Sequence, residues 1–368
     1  LSGEAWFNEL RLSEIDGKGG WSALASMDAN LADFAKISLS GKMSTIGFGS
    51  IDKSPNQRSR EELKQYGLIS SLNLGQLLPN KWEIQIPVSY SISEEFSTPE
   101  YDPFYQDIKL EDRVNSATRN SQKDSIRNQA ISYRKISSIN LLGVKKNRSA
   151  EQKERVYDIE NFDFSYSYNQ ELQHDYEIEN FTKKTARVSS AYNYTFNPFV
   201  ISPFKKTKFL ENNKYLEWIK EFNFNPLLSS LSFDANINRT FNSQRFRDIY
   251  VEGADSSNQI ALPEIQQRNF LFDWNLSLSQ NLSNSLRIDF SASNNSIVKN
   301  YFETDVMGDM AVNKELDIWD GFWNTGEANS HNQSFGVTYE LPFKLFPFIN
   351  FISSSYNYSG DFNWERGS

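Results

Sequence analysis

Apolar and polar residues alternate with a period of two along most of the chain. In "FLFDWNLSLSQNL", residues 270–282, Phe270, Phe272, Trp274, Leu276 and Leu278 share one parity, and Asp273, Asn275, Ser277 and Ser279 share the other. That spacing makes a β-strand with one dry face and one wet face. The pattern recurs in "NKWEIQIPVSYSIS", where Trp82, Ile84, Ile86 and Val88 oppose Glu83 and Gln85, and in "NFDFSYSYNQ", where Phe162, Phe164, Tyr166 and Tyr168 oppose Asp163. It returns in "ARVSSAYNYTF", in "SLSFDANIN" (Phe233 and Ile237 against Asp234), in "LRIDFSASN" (Ile288 and Phe290 against Arg287 and Asp289) and in "SFGVTYEL" (Val337 and Tyr339 against Glu340). Less regular stretches near 4–12, 20–28, 33–41, 67–75, 132–143 and 348–360 bring the total to roughly a dozen strands of membrane-spanning length. The expectation is an all-β, antiparallel up-and-down chain.

A soluble sandwich alternates in the same way, so the connections carry the discrimination. "QLLPNK", "NLSNS" and "PFKLFP" are tight. Residues 93–131, 198–228, 242–269 and 296–331 are long, and 144–156 and 173–183 are moderate. Counted along a meander, the three tight turns fall at one end. Tight turns at one end and long loops at the other mark a transmembrane β-barrel, with periplasmic hairpins and extended extracellular loops. On this reading Trp82, Ile84, Ile86, Val88, Phe162, Phe164, Phe233, Ile237, Phe272, Trp274, Leu276, Ile288, Phe290, Val337 and Tyr339 face lipid. Glu83, Gln85, Asp163, Asp234, Asp273, Arg287, Asp289 and Glu340 face a watery lumen. Residues 198–228 break the rule as a long insertion on the periplasmic side; Phe209, Leu210, Leu216, Ile219 and Phe222 approximate a helical stripe there, predicting a short helix near 208–222 that plugs the barrel or packs on its rim.

Composition fits this picture and removes several others. The 368 residues include no cysteine and two histidines, and carry a net charge of −9. A mean hydropathy of −0.60 accompanies the absence of any apolar run of the ~20 residues a membrane helix needs. Acidity argues against a sequence-independent nucleic-acid partner. Without thiols, thiolate metal sites and cysteine nucleophiles are excluded. The chain opens at Leu1 and closes in "SSSYNYSGDFNWERGS", and it reads as one segment, 1–368, of a longer polypeptide with no separate soluble domain.

Candidate chemistry is sparse. His174 and His331 stand in separate connections without partners at metal-ligand spacing. "SGKMSTIGFGS" fails as a phosphate loop, because Lys36 occupies the first glycine position and Met43 the Ser/Thr position; its glycines are expected at bends and bulges. The acids Glu303, Asp305, Asp309, Glu315, Asp317 and Asp320 lack the spacing of a calcium loop and are expected to be solvated. No catalytic residues, metal site or cofactor are identified.

Residues 5–52 and 86–110 add a resemblance. The N-E-L-R-L-S opening at Asn8–Ser13, the G-x-G-G-W turn at Gly17–Trp21, the L-A-D-F-A segment at Leu31–Ala35 and the run Pro99, Tyr101, Pro103 are similar to the SprA/Sov family. These are outer-membrane translocons of the type IX secretion system, associated with gliding motility in Bacteroidetes. The resemblance implies a single-chain outer-membrane barrel of very large strand number passing folded cargo proteins, with outer-membrane lipid around it. It also implies plug and accessory barrel or lipoprotein subunits as partners. With strands ~4.8 Å apart and tilted ~40°, three dozen strands enclose a backbone diameter of roughly 70 Å, against perhaps 25 Å for a dozen. Two other readings share the alternation: a smaller porin or nutrient transporter, and a secreted β-rich adhesin whose dry face packs on a second sheet.

Overall fold

The computed structural model describes residues 19–54, 57–149, 152–207, 216–247, 262–299, 302–304, 310–312, 317–346 and 348–367. Its strands are β1 (Ser22–Leu31), β2 (Ala35–Ser44), β3 (Glu61–Asn73), β4 (Ile84–Gln85), β5 (Pro87–Pro99), β6 (Ser132–Lys146), β7 (Phe162–His174), β8 (Ile178–Thr195), β9 (Ser230–Phe246), β10 (Ile265–Asn281), β11 (Leu286–Ile297), β12 (Phe302–Thr304), β13 (Met310–Val312), β14 (Glu327–Leu341) and β15 (Ser354–Glu365). One antiparallel sheet runs in the order β1-β2-β3-β5-β6-β7-β8-β9-β10-β11-β14-β15, with β4 beside β6; β12 and β13 form a separate small hairpin. Each strand of this path therefore pairs with its predecessor and its successor, as alternation and short turns dictate. The sheet is open: among the described residues nothing pairs with the outer side of β1 or β15.

Four sequence expectations change. The alternation over 82–92 is broken, because Trp82 sits in a 3-10 turn (Asn80–Trp82) and Glu83 is left-handed at φ 50°. Ile86 lies between strands, its carbonyl taking the Leu74 N–H at 2.9 Å, so of residues 82–86 only Ile84 and Gln85 pair, with Lys146 and Lys145, and regular pairing resumes at β5. Residues 173–183 hold no moderate loop: β7 and β8 turn at 175–177, where Asp175 Oδ1 accepts the N–H groups of Glu177 (2.8 Å) and Ile178 (2.7 Å). The helix near 208–222 reduces to α3 (Glu217–Lys220), with 208–215 outside the described residues, as is the strand near 4–12. Of the phosphate-loop-like glycines, Gly47 does mark a bend at φ 83°, whereas Gly41 sits in regular pairing opposite Ala25 and Tyr66.

The 100–131 connection contains two helices that alternation could not reveal, α1 (Leu110–Ser116) and α2 (Asn120–Ala130). Their few apolar residues, Leu110, Val114, Ile126 and Ala130, meet in a small core of their own. Buried Asp102 fixes the entry to this hairpin. Its carboxylate accepts from the N–H groups of Phe104 (2.8 Å) and Tyr105 (3.2 Å) and from the Arg113 guanidinium, which lies 4.6 Å from the Tyr105 ring centre.

The main core does not lie between two sheets. It forms where residues 317–326, hereafter the strap, fold back from the β11–β14 connection onto β7–β10. Ile318 and Phe322 bury themselves against Ala186 and Ile237, with Tyr168, Val188, Phe241 and Phe272 around them. At its centre Arg239 is fully buried. Its guanidinium donates to the carbonyls of Leu271 (2.6 Å), Phe322 (2.8 Å) and Asn324 (2.6 Å), and lies over the rings of Phe270 and Phe322. Lys184 holds the other end of the strap through Asp317 at 2.9 Å. Gly326, at φ 67°, lets the strap rejoin β14: a Cβ there would stand 2.4 Å from the Ile297 carbonyl oxygen.

Two outcomes are expected. Phe322→Ala removes the central ring of this core, a class of change that costs about 3–5 kcal/mol. Hydrogen exchange should speed up across 317–326 while β1–β5 keep their protection. Second, burial disfavours the charged form of Asp317, but hydrogen bonds from Lys184 and the Ile318 N–H and the lysine charge outweigh it, holding the carboxyl below its ordinary 3.8. A depressed carboxylate contributes its stabilisation above the unfolded value and loses it as pH falls through the folded one. Proteolysis of the strap should therefore rise only below about pH 4, and Lys184→Met should abolish that acid dependence.

Candidate functional site

The register carries two continuous faces across all twelve strands. Val188 pairs with Ile237 and Ile237 with Phe272. Phe290 pairs with Leu278 and Phe335, Ile288 with Val337, and Val337 with Tyr358. Because partners in an antiparallel pair point the same way, Val88, Phe162, Phe164, Phe233, Ile237, Phe272, Trp274, Leu276, Ile288, Phe290, Val337 and Tyr339 stand on one face. Asp163, Asp234, Asp273, Arg287, Asp289 and Glu340 stand on the other. Three bulges adjust the register without exchanging the faces: one in β6 between Leu141 and Val144, one in β8 between Ile178 and Asn180, and one in β14 at Asn329, opposite Asn295 and Ser296. Gly143 takes up the first at φ 72°, its N–H bonded to Ser165 Oγ at 2.9 Å.

The polar face is linked side chain to side chain. Asp234 accepts from Asn275 (2.8 Å) and Asn236 (3.2 Å), Arg187 reaches Asn236 (3.1 Å), Ser91 meets Ser138 (2.6 Å) and Arg134 pairs with Glu171 (2.7 Å). Asp273 takes Asn295, and Arg287 pairs with Asp289 at 2.9 Å. The face therefore presents amides, hydroxyls and paired charges, with Leu24, Ile69, Ile136 and Leu142 among its exposed apolar exceptions.

The apolar face is partly uncovered: Met27, Tyr66, Phe162, Phe164, Phe233, Phe335, Tyr356, Tyr358 and Phe362 are exposed. Charge on it is segregated. From β3 to β10 its ionised groups are Glu62, Lys64, Glu94, Lys135, Lys184, Arg239, Arg245 and Arg268, all toward the end that carries the 100–131 and 298–326 connections. From that line to the other strand ends the face is apolar or neutral, with Lys146 at the rim. On β8, β9 and β10 this interval runs from 186 to 195, 230 to 238 and 270 to 281. That is about ten residues a strand, the 9–11 that cross a hydrocarbon layer.

The two ends differ as the spacing of tight turns indicates. The "QLLPNK", "NLSNS" and "PFKLFP" turns share one end with the connections 32–34, 147–161 and 196–229, and 45–60, 100–131, 247–264 and 298–326 share the other with the tight turn at 175–177. The 196–229 insertion braces the rim instead of following a hairpin. Asn225 N–H bonds the Leu282 carbonyl (2.8 Å), Asn284 N–H bonds Asn223 Oδ1 (2.8 Å), and Trp218 stacks on Phe346. Between it and the polar face lies an open cavity of about 680 Å³, lined by Asn223, Asn225, Arg287, Asp289, Thr338 and Glu340. Tyr192 and Tyr194 hydroxyls tie the 147–161 connection to the same rim through the carbonyls of Val156 and Glu154.

His174 closes β7 beside Tyr133, and His331, in β14, pairs with Gln333; the two are in different strands. Among the described residues no group of histidines and carboxylates is assembled for a metal. Asp305, Asp309 and Glu315 lie outside the described residues, and Asp317 is engaged with Lys184.

No curated protein matches the chain. Residues 1–114, which span β1–β5 and α1, match the family model SprA_N, described as a motility related/secretion protein. The features quoted for the resemblance lie inside that stretch. Over residues 1–114, 114 of the 368 residues, the chain is therefore similar to the SprA family of motility-related secretion proteins.

Proposed function

We propose that the chain is a wall segment of an outer-membrane, protein-conducting β-barrel, the translocon of a type IX secretion system, through which folded cargo proteins reach the cell surface. The observation that carries the proposal is the interval on the apolar face: about ten residues long on strand after strand, its side chains on that face uncharged and in part exposed, backed by a hydrogen-bonded polar face. A soluble sandwich would have to cover that interval with a second sheet, whereas among the described residues what lies on it is the strap and, at the short-turn rim, part of the 147–161 connection. In the proposal the apolar face meets lipid, the polar face lines the conduit, and the 100–131 and 298–326 connections lie outside the cell. Strands beyond this open sheet complete the ring. Cargo, outer-membrane lipid, a plug and accessory barrel or lipoprotein subunits are the partners. The chain supplies no covalent chemistry; uncharged Ser and Asn groups between paired charges suit passage without adhesion.

Substitution distinguishes the faces. Trp274→Arg or Ile288→Arg should cut the yield of heat-resistant barrel in the membrane, since a lipid-facing arginine near the midplane costs about 2–4 kcal/mol, whereas Ser277→Arg should leave it unchanged. Equal yields would remove the lipid assignment. Transport itself is tested by deleting the β10–β11 hairpin, residues 270–295, which takes out two strands and keeps the up-down alternation. Secreted proteins should accumulate in the periplasm while small-nutrient uptake stays normal. Normal secretion with lost uptake would identify a nutrient transporter instead.

A further inference from the structure

The strap lies on the line where charge begins on the apolar face, and its own polarity runs across that line. At one end Asp317 pairs with Lys184, two residues beyond Ala186 toward the long-loop end, and Asp320 Oδ2 accepts the Asp317 N–H at 2.6 Å. At the other, Trp319, Phe322 and Trp323 lie over Phe164, Tyr166 and Val188 of the uncharged interval. Trp319 stacks on Tyr168 at 5.6 Å, and Trp323 is 72 % exposed.

We infer that the strap, residues 317–326, lies at the outer boundary of the membrane's hydrocarbon layer, with Trp319 and Trp323 in the lipid headgroup region and Arg239 shielded from the acyl chains by the strap's main chain. The inference rests on the reading that the apolar face meets lipid. Three observations support it. Below Arg239 about ten residues remain on β8 and β9, one hydrocarbon thickness, so Arg239 falls at an interface and not at the midplane. Unshielded at that height, a guanidinium would still face acyl chains on one side; here four of its hydrogen bonds go to carbonyls, two of them from the strap. Tryptophan, apolar in body with one N–H donor, is the side chain that prefers the headgroup layer, where one end is dry and the other wet. The lipid chemistry required is general: a glycerophospholipid or lipid A surface with acyl chains below and polar groups above.

The test uses the full-length parent protein in phosphatidylcholine nanodiscs, with single cysteines at Trp323, Trp274, Val337 and Ser277 carrying an environment-sensitive fluorophore. Quenchers are a lipid nitroxide near the glycerol backbone, a lipid nitroxide near the chain end, and aqueous iodide. The Trp323→Cys label should lose more fluorescence to the shallow nitroxide than to the deep one; Trp274→Cys and Val337→Cys should show the reverse, and Ser277→Cys should respond to iodide alone. If 274 and 337 report lipid but 323 is quenched by iodide alone, or by nothing because a protein partner covers it, the strap assignment is overturned and the lipid face stands. If neither 274 nor 337 is quenched by lipid, the lipid face fails and the strap assignment with it. Trp323 is exposed, so its replacement does not disturb folding, and having both 274 and 337 protects the comparison against loss of one variant.

Discussion

Backbone pairing is the constraint on which everything else here depends. A strand in a meander has no hydrogen-bonding choice except its two neighbours, and the side-chain period of two means that a slip of one residue would turn its whole apolar set to the other face. Twelve strands paired in sequence order, with three local bulges and no exchange of faces, fix the position of every aromatic on the wall from the position of one. The same constraint defines what is incomplete. Among the described residues β1 and β15 each present one row of unpaired N–H and C=O groups, and in a hydrocarbon medium such rows are tolerated only when another strand takes them. Tyr356, Tyr358, Phe362 and Trp364 on β15 give that edge a dry side as long as those of the interior strands.

Charge supplies the second dimension. Register alone orders residues along the sheet; the line of Lys64, Glu94, Lys135, Lys184, Arg239 and Arg268 orders them along the strand axis. Two of these groups neutralise each other across β5 and β6, where Glu94 meets Lys135 at 2.8 Å. Arg239 instead satisfies four donors on main-chain carbonyls, two of them brought by a segment more than eighty positions later in the chain. A buried guanidinium held in this way commits the strap to one position, because its carbonyls cannot leave without stranding a charge. The wall is unequal in height: β8, β9 and β10 run well past the uncharged interval, and the strap straddles the line between the two.

Much of this was legible in the chain because alternation is local. β7, β9, β10, β11 and β14 follow from parity alone, and with them the separation of Asp234, Asp273 and Asp289 from Phe233, Phe272 and Ile288. The features that were not legible each depend on something other than period two. The helices α1 and α2 have too few apolar positions to show a stripe, and Asp102, which organises their approach, reads in sequence as one acid among many. The 82–92 stretch keeps its alternation through a 3-10 turn and a left-handed Glu83, since composition does not register a backbone reversal. The strap joins residues far apart in sequence, but two signals were present. Arg239 continues the apolar parity of Leu231, Phe233, Ala235 and Ile237, where a charge is out of place, and Ile318, Trp319, Phe322 and Trp323 crowd into a loop otherwise read as solvated acid.

The open sheet also bears on the size of the assembly. A dozen tilted strands closed on themselves would enclose a backbone diameter of only about 25 Å. Side chains and the rim brace at 196–229 would fill much of that space, since the brace already stands over Arg287, Asp289 and Glu340 on the polar face. In a ring of about three times the circumference the same brace occupies a small sector, and its contacts with the β10–β11 turn stiffen one stretch of rim without blocking the lumen. An insertion this long on the polar side of the short-turn end is thus easier to reconcile with a wide conduit than with a narrow pore. The likeness of residues 1–114 to a secretion family and the geometry of the rim point in the same direction.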